Sequence, residues 1–192
     1  MKKVFLQLCT ILVLVGLMVG MTITVSANSV VSGKWGDLSW ELNRSAGHLT
    51  ISGEGDMNDF DSSNDAWKAY KNQIVTLTIE NGITSIGKYA FERNIALVEL
   101  TMEEGITSIG ISAFAGCKAL QKVTIPASVQ TIGDLAFSWC TALKEVVFLG
   151  NAPDNIGNSI FYEETVTIYY DPATSGWDKT KMKEKYTLIP IG

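Results

Sequence analysis

Residues 123–137 read Val-Thr-Ile-Pro-Ala-Ser-Val-Gln-Thr-Ile-Gly-Asp-Leu-Ala-Phe, and this pattern also occurs twice upstream at intervals of 23 residues. Self-similarity with a fixed period is typical of proteins built from stacked structural repeats. Two kinds of residue pair define the period. An Ile-Gly pair recurs at residues 86–87, 109–110 and 132–133, and an Ala-Phe pair follows each of them, at residues 90–91, 113–114 and 136–137. The sequence therefore predicts a solenoid of 23-residue units.

Each unit contains a short segment in which apolar and polar residues alternate, as in residues 98–102. Alternation predicts a half-buried strand, and a strand this short must stack beside its copies in a parallel sheet. A second apolar pair, Ile83 and Ile86 in the first unit, brings the chain back across the core. Gly87 and its copies suit a corner with a positive φ. The Ala-Phe pair is expected to face inward on a single helical turn.

Residues 123–137, with Cys140 three residues later, resemble the BspA-like leucine-rich repeat of bacterial secreted and surface proteins. Residues 39–57 are similar to the hairpin that opens such domains, and residues 148–177 to their closing part. The resemblance implies a leucine-rich-repeat solenoid that is mostly β, with short parallel strands, single helical turns and an N-terminal β-hairpin cap. It also implies a role in adhesion or protein binding.

The pattern divides the chain into four segments. They are a signal peptide that is cleaved (1–27), an N-terminal hairpin cap and lead-in (28–73), about four BspA-like repeats (74–165) and a C-terminal capping segment (166–192). Caps are expected because a solenoid otherwise exposes its core at both ends. The residues predicted to close the ends are Trp35, Trp40 and Trp67 on one side and Val166, Ile168 and Trp177 on the other.

The first 27 residues predict export, since a cationic start and an apolar run precede Val25-Ser26-Ala27, with cleavage expected after Ala27. An uncleaved anchor is the alternative, but the unbroken apolar run 11–21 is shorter than the roughly 20 residues of a spanning helix. Cleavage leaves 13 of the 15 Lys and Arg residues against 20 Asp and Glu, a net charge of −7. This balance predicts a secreted protein, extracellular or associated with the cell surface, that does not bind nucleic acid.

The sequence shows no constellation of a nucleophile with a positioned base. His48 is the single histidine, expected as an exposed turn residue, and no nucleophile is predicted near it. We therefore predict no enzyme and no cofactor. Cys117 and Cys140 share a repeat column in which the first unit has Asn94, so they are expected about 4.8 Å apart on neighbouring coils. That spacing allows a disulfide, but buried free thiols are the prediction.

An acidic loop resembles a calcium site in its spacing. Asp59, Asp61, Ser63 and Asp65 follow the first ligand positions of an EF-hand, but Asn64 stands where that loop needs Gly and Tyr70 where it needs Glu. We predict a solvated acidic loop and no metal site.

The exposed residues of stacked strands form a continuous surface that suits protein binding. We predict outward rows containing Thr76, Thr78 and Pro126, although threonines also favour strands for structural reasons alone. Trp139 lies at a variable loop position, either exposed or covered by the segment around Trp177. The candidate partner-binding residues are Glu99, Thr101, Lys122, Thr124, Trp139, Glu145, Val147 and Leu149.

The predicted function is a secreted module for protein–protein interaction or adhesion, with an extracellular or cell-surface protein as partner. A carbohydrate or cell-wall binding module is the alternative, and it is favoured if Trp139 lies in an exposed row with Tyr169 or Tyr170.

Overall fold

The computed structural model describes residues 29–60, 66–162 and 165–191. The predicted signal peptide, residues 1–27, lies outside the described residues. Two short 3-10 helices are formed by Lys68–Tyr70 and Lys181–Glu184. The strands are β1 (Val30–Trp35), β2 (Leu38–Asn43), β3 (His48–Ser52), β4 (Gly55–Asp56), β5 (Thr76–Ile79), β6 (Ile83–Ile86), β7 (Glu99–Met102), β8 (Ser108–Ile109), β9 (Lys122–Ile125), β10 (Thr131–Ile132), β11 (Glu145–Phe148), β12 (Asn155–Ile156), β13 (Thr167–Tyr170) and β14 (Thr187–Pro190).

These strands form a β-solenoid of about 5 turns with two strand-bearing sides. On the first side β1, β2 and β3 are antiparallel, and β5 and β7 join β3 in parallel. The parallel strands β9, β11, β13 and β14 continue this side, with β9 next to β7. The second side is a sheet in the order β12-β10-β8-β6-β4. The predicted solenoid of short parallel strands is confirmed.

The segment that closes each coil is a run of hydrogen-bonded turns. The bonds join residues three apart, as between Glu92 N and Tyr89 O at 3.1 Å. The predicted helical turn takes this interrupted form because Tyr89 and Arg93 are left-handed, with φ of 59° and 58°. Ser112 and Leu135, which correspond to Tyr89, are left-handed too.

The repeated glycine before these turns allows adjacent coils to pack closely. The prediction of a positive φ at Gly87, Gly110 and Gly133 is wrong, because the left-handed residue comes two positions later. A Cβ on Gly110 would lie 2.7 Å from Lys88 N, and one on Gly133 would lie 2.6 Å from Ile111 N. Both distances are too short for a real side chain, so a residue without a Cβ is required for steric reasons.

An aromatic column runs through the core along the solenoid axis. Phe91, Phe114 and Phe137 are fully buried, and their stacked rings have centroids 5.3 Å and 5.2 Å apart. Trp67 stacks on Phe91 at 5.2 Å, and Phe161 follows Phe137 at 5.8 Å. Each buried Phe contributes about 1.5–3 kcal/mol of hydrophobic stabilisation, so one ring per coil is a large part of the core.

The predicted β-hairpin closes the N-terminal end, together with a strand that the sequence did not predict. β2 and β3 form the hairpin, and β1 pairs with the outer edge of β2. The rings of Trp35 and Phe60 stack at 4.3 Å, and Phe60 lies 4.7 Å from Trp67. Trp40 is buried, with its ring 6.2 Å from that of Tyr70. These aromatic contacts cover the first coil.

Trp177 is the central residue of the C-terminal end. Its ring meets Phe148 edge-on at 5.1 Å and stacks on Tyr170 at 4.8 Å. Its Nε1 donates to Thr174 Oγ1 at 2.9 Å and to Gly150 O at 3.3 Å. The segment around it leads from β13 to β14, which extend the first side by two strands.

Candidate interaction surface

The outward side chains of the first side form three rows, which we call the outer face. Ladder pairing aligns them from β2 to β7 and from β9 to β14, and the 23-residue period relates β7 to its neighbour β9. The first row is Asn43, His48, Thr76, Glu99, Lys122, Glu145, Thr167 and Thr187. The middle row is Glu41, Thr50, Thr78, Thr101, Thr124, Val147, Tyr169 and Ile189. The third row, at the strand ends, includes Glu80, Glu103, Leu149, Asp171 and Ile191.

The centre of the outer face is polar and electrically balanced. Lys122 Nζ lies 3.3 Å from Glu145 Oε2, and both side chains are about half exposed. An exposed pair of this kind adds little to stability. Thr101 and Thr124 lie beside it in the middle row. The predicted partner-binding residues Thr101, Lys122, Thr124 and Glu145 thus lie together on one surface.

Val147 and Leu149 belong to a larger apolar area than the sequence suggested. Leu149 is 50% exposed, and Ile189 and Ile191, two strands away on β14 and just after it, are 39% and 41% exposed. Tyr169 lies between Val147 and Ile189 in the middle row. The sequence analysis did not name Ile189 and Ile191, because β14 falls outside the regular repeat. The strand-like alternation at residues 187–191 was the available signal.

Trp139 is exposed but does not lie on the outer face. It is in the turns between β10 and β11, 43% exposed, with its ring edge-on to Tyr162 at 5.7 Å. Tyr170, by contrast, stacks on Trp177 at the C-terminal end of the core. Trp139 therefore forms no row with Tyr169 or Tyr170, and the carbohydrate alternative is not favoured.

Two further placements differ from expectation. Pro126 is buried instead of facing outward, because the next coil lies against this segment: a Cβ on Gly150 would be 2.6 Å from Ala127 O. His48 is the first residue of β3 and half-buried, not an exposed turn residue. Its Nδ1 is 2.7 Å from Thr76 Oγ1. Both errors came from the predicted strand bounds. The alternation was continued past the end of β9 to Pro126, and β3 was predicted to begin after His48.

Cys117 and Cys140 are free, fully buried thiols on neighbouring coils. Their Sγ atoms donate to the carbonyl oxygens of Phe91 at 3.3 Å and Phe114 at 3.2 Å. A hydrogen bond with the Cys140 thiol, followed by burial, raises the pKa of Cys117 well above its usual value. Since the thiolate is the reactive form, this pair acts as core packing and not as a nucleophile.

The described part of the acidic loop is tied to the first repeat. Lys88 N donates to Asp59 Oδ1 at 2.9 Å, and Lys88 Nζ lies 3.0 Å from Asp59 Oδ2. The backbone hydrogen bond from Lys88 is the main cause that lowers the pKa of Asp59 below its usual value. Residues 61–65 lie outside the described residues. Within the described ranges, no three His, Cys, Asp or Glu residues are grouped to hold a metal ion.

Two open grooves flank the strands. One, of about 670 Å³, lies between β12 and the C-terminal segment and is lined by Asp134, Asp154 and Lys179. The other, of about 680 Å³, is a shallow depression on the outer face lined by Glu41 and Glu80. His48, the single histidine of the sequence, lines neither groove. Residues 29–60, 66–162 and 165–191 include no helix long and apolar enough to cross a membrane.

The short parallel strands, the closely packed coils and the exposed outer face define a leucine-rich-repeat solenoid. The family of the BspA type leucine rich repeat region matches residues 64–174 in 6 copies, and the chain belongs to this family. Membership indicates a protein-interaction repeat module, since such repeats are generally non-enzymatic binding scaffolds.

Solved structures agree with this fold. A leucine-rich repeat protein from Eubacterium ventriosum ATCC 27560 is 29% identical with a TM-score of 0.60, over 76% of this chain and 39% of that one. The T. pallidum leucine rich repeat protein is 21% identical with a TM-score of 0.53, over 69% of this chain and 68% of that one, a likeness in fold alone. The chain thus matches well under half of the first of these proteins. None of the curated proteins matches it significantly.

Proposed function

We propose that this protein is exported and binds a protein partner, on or outside cells, through its outer face. The observation that carries the proposal is the continuity of that face. One set of strand ladders aligns its rows from β2 to β7, and a second set aligns them from β9 to β14. Leu149, Ile189 and Ile191 remain well exposed on it. A rigid, continuous strand surface is the part of a solenoid that suits partner binding.

The proposed contact residues divide between two surfaces. Seven of them lie on the outer face: Glu99, Thr101, Lys122, Thr124, Glu145, Val147 and Leu149. Trp139 lies on the turn side with Tyr162, so its contact would be a separate one. Exposed aromatic residues often contribute strongly to binding, which keeps Trp139 in the proposal. We propose the outer face as the main binding surface because its rows are contiguous.

Capture of partners by variants with one bulky charge tests the role of the outer face. Thr124→Arg places a long cation in the middle row, and Ile95→Arg places the same group in an exposed turn of the first repeat. The immobilised protein is incubated with extracellular proteins, and the retained species are identified by mass spectrometry. We expect retention of a defined protein that Thr124→Arg abolishes and Ile95→Arg preserves. Equal retention by both variants, or retention of glycans alone, would contradict the proposal.

Export is tested separately from binding. Protein recovered from the culture medium is subjected to N-terminal sequencing, and we expect it to begin at Asn28. A protein that stays in the cell with Met1 intact would contradict the proposed secretion but would leave the role of the outer face open to the capture test.

A further inference from the structure

The outer face is divided into two halves of different chemistry. From β11 to β14 it presents the apolar side chains of Val147, Leu149, Tyr169, Ile189 and Ile191 on adjacent strands. These strands lie about 4.8 Å apart, so Val147, Tyr169 and Ile189 form one contiguous row. Leu149 and Ile191 extend this patch in the third row on either side of the exposed Asp171, whose Oδ1 accepts a hydrogen bond from Ala173 N at 2.8 Å. A patch of this kind on an otherwise polar surface marks an interaction site. We call it the apolar half.

From β1 to β7 the outer face is acidic. Glu41, Glu80, Glu99 and Glu103 lie at outward positions on or just after the three strands β2, β5 and β7. Among the described residues of these strands, the outward cation is Lys34, and its Nζ donates to Ser39 Oγ at 2.8 Å. Several carboxylates facing one side without matching cations create a negative potential above the sheet. We call this region the acidic half.

The boundary between the halves is neutral. The Lys122 and Glu145 side chains pair at 3.3 Å, so neither adds an uncompensated charge there. Thr101 and Thr124, 23 residues apart in sequence, lie on either side of this boundary on the neighbouring strands β7 and β9. A single bound segment can therefore cross from one half to the other without meeting a buried or unpaired charge.

Charge complementarity identifies the occupant. We infer that the outer face binds a protein segment in which a basic stretch is joined to an apolar stretch, with the basic side chains over the acidic half and the apolar side chains on the apolar half. The inference rests on the proposed function and specifies the partner. A second copy of this chain fits poorly, because each copy would bring the same carboxylates and a net charge of −7 after cleavage.

The dimensions of the face set the length of the segment. Seven strand spacings separate β2 from β14, or about 34 Å at about 4.8 Å each. An extended chain covers this distance with about ten residues. The partner segment is thus short enough to be a loop or a terminal tail.

Labelled peptides in a fluorescence anisotropy titration test the inference with the purified chain. The probe is an extended peptide with a run of lysines followed by alternating leucine and serine. One comparison peptide replaces the lysines by glutamate, and the other replaces the leucines by serine. We expect the probe to bind at least about tenfold more tightly than either, and its affinity to fall with added salt because the basic end is held by charge.

Variants assign each end of the probe to its half. Ile189→Ser is expected to weaken probe binding about tenfold and Glu99→Lys to a similar degree, with Glu99→Lys also reducing the salt dependence. Ile95→Ser and Glu92→Lys are the matched controls, since both residues are exposed in the turns away from the outer face, and they should leave the affinity unchanged.

The outcomes separate this inference from the proposed function. Equal binding of the three peptides, or equal losses in the control variants, overturns the inferred partner chemistry. If Thr124→Arg still abolishes capture in that case, the outer face remains the binding surface and only the partner is wrong. If Thr124→Arg has no effect on capture, the proposed function itself fails.

Discussion

Asn94 shows how one position of a repeat can depart from its copies. It is 2% exposed, and its Oδ1 has no hydrogen-bond partner among the described residues. The corresponding Cys117 and Cys140 each donate to a backbone carbonyl of the preceding coil. A buried polar atom without a partner costs about 1–3 kcal/mol, whereas a buried thiol behaves as a small apolar group.

Asn94→Cys should therefore stabilise the protein, by about 1 kcal/mol or more. The measurement is the midpoint of urea unfolding under reducing conditions, which keeps the added thiol free. Cys117→Asn is the matched control, since it places the same amide in the next coil, and it should lower the midpoint. A lower midpoint for Asn94→Cys would show that Asn94 has a favourable role that its contacts do not reveal.

At the scale of elements, the C-terminal strands depend on one aromatic cluster. Trp177 is 5% exposed and packs on Phe148 and Tyr170. β14 pairs only with β13 among the described strands. Repeat proteins are stabilised by contacts between neighbouring units. Loss of this cluster should therefore destabilise the C-terminal strands before the rest of the solenoid.

Trp177→Ala should remove hydrogen-exchange protection from β13 and β14 while β2 and β3 keep theirs. A core Trp-to-Ala change costs about 3–5 kcal/mol, and local opening is the response expected of the least stable unit. Trp139→Ala is the control, because that exposed ring contributes no packing to the C-terminal end. Uniform loss of protection along the whole chain would contradict a locally acting cluster.

For the whole molecule, the 23-residue period predicts that one unit can be removed. Deletion of residues 98–120 joins Leu97 to Gln121, and Leu97 and Leu120 occupy equivalent buried positions. The shortened chain should fold, because each coil contacts mainly its neighbours. Its Tm and its denaturant m-value should both be lower, since one unit of buried surface is lost.

Circular dichroism with thermal and urea unfolding checks this expectation. Deletion of residues 98–108 is the control, because it removes a partial coil and shifts every later apolar residue out of its column. We expect the control to be unfolded or aggregated. If the control folded as well as the 23-residue deletion, the repeat would not be the structural unit of this chain.

The sequence alone determined the solenoid, its apolar columns and its N-terminal hairpin. Phe114 illustrates why: its copies recur at a fixed interval, and a fixed interval of buried residues can be satisfied only if equivalent residues stack. The outward placement of Thr101 and Lys122 followed from the alternation along each strand. These features depend on local periodicity, which a single chain displays directly.

Only the tertiary structure decided the contacts between coils and the positions of the non-repeating residues. The repeated glycine proved to be a contact between coils, which becomes visible when Gly110 is seen against Lys88 of the previous coil. Ile189 joined Val147 on one surface because β14 pairs beyond β13, far from the repeats in sequence. Trp139 and Tyr170 lie in different parts of the molecule, Trp139 beside Tyr162 and Tyr170 on Trp177, which the sequence did not indicate. Contacts between segments distant in sequence carry no periodic signal, so packing alone assigns them.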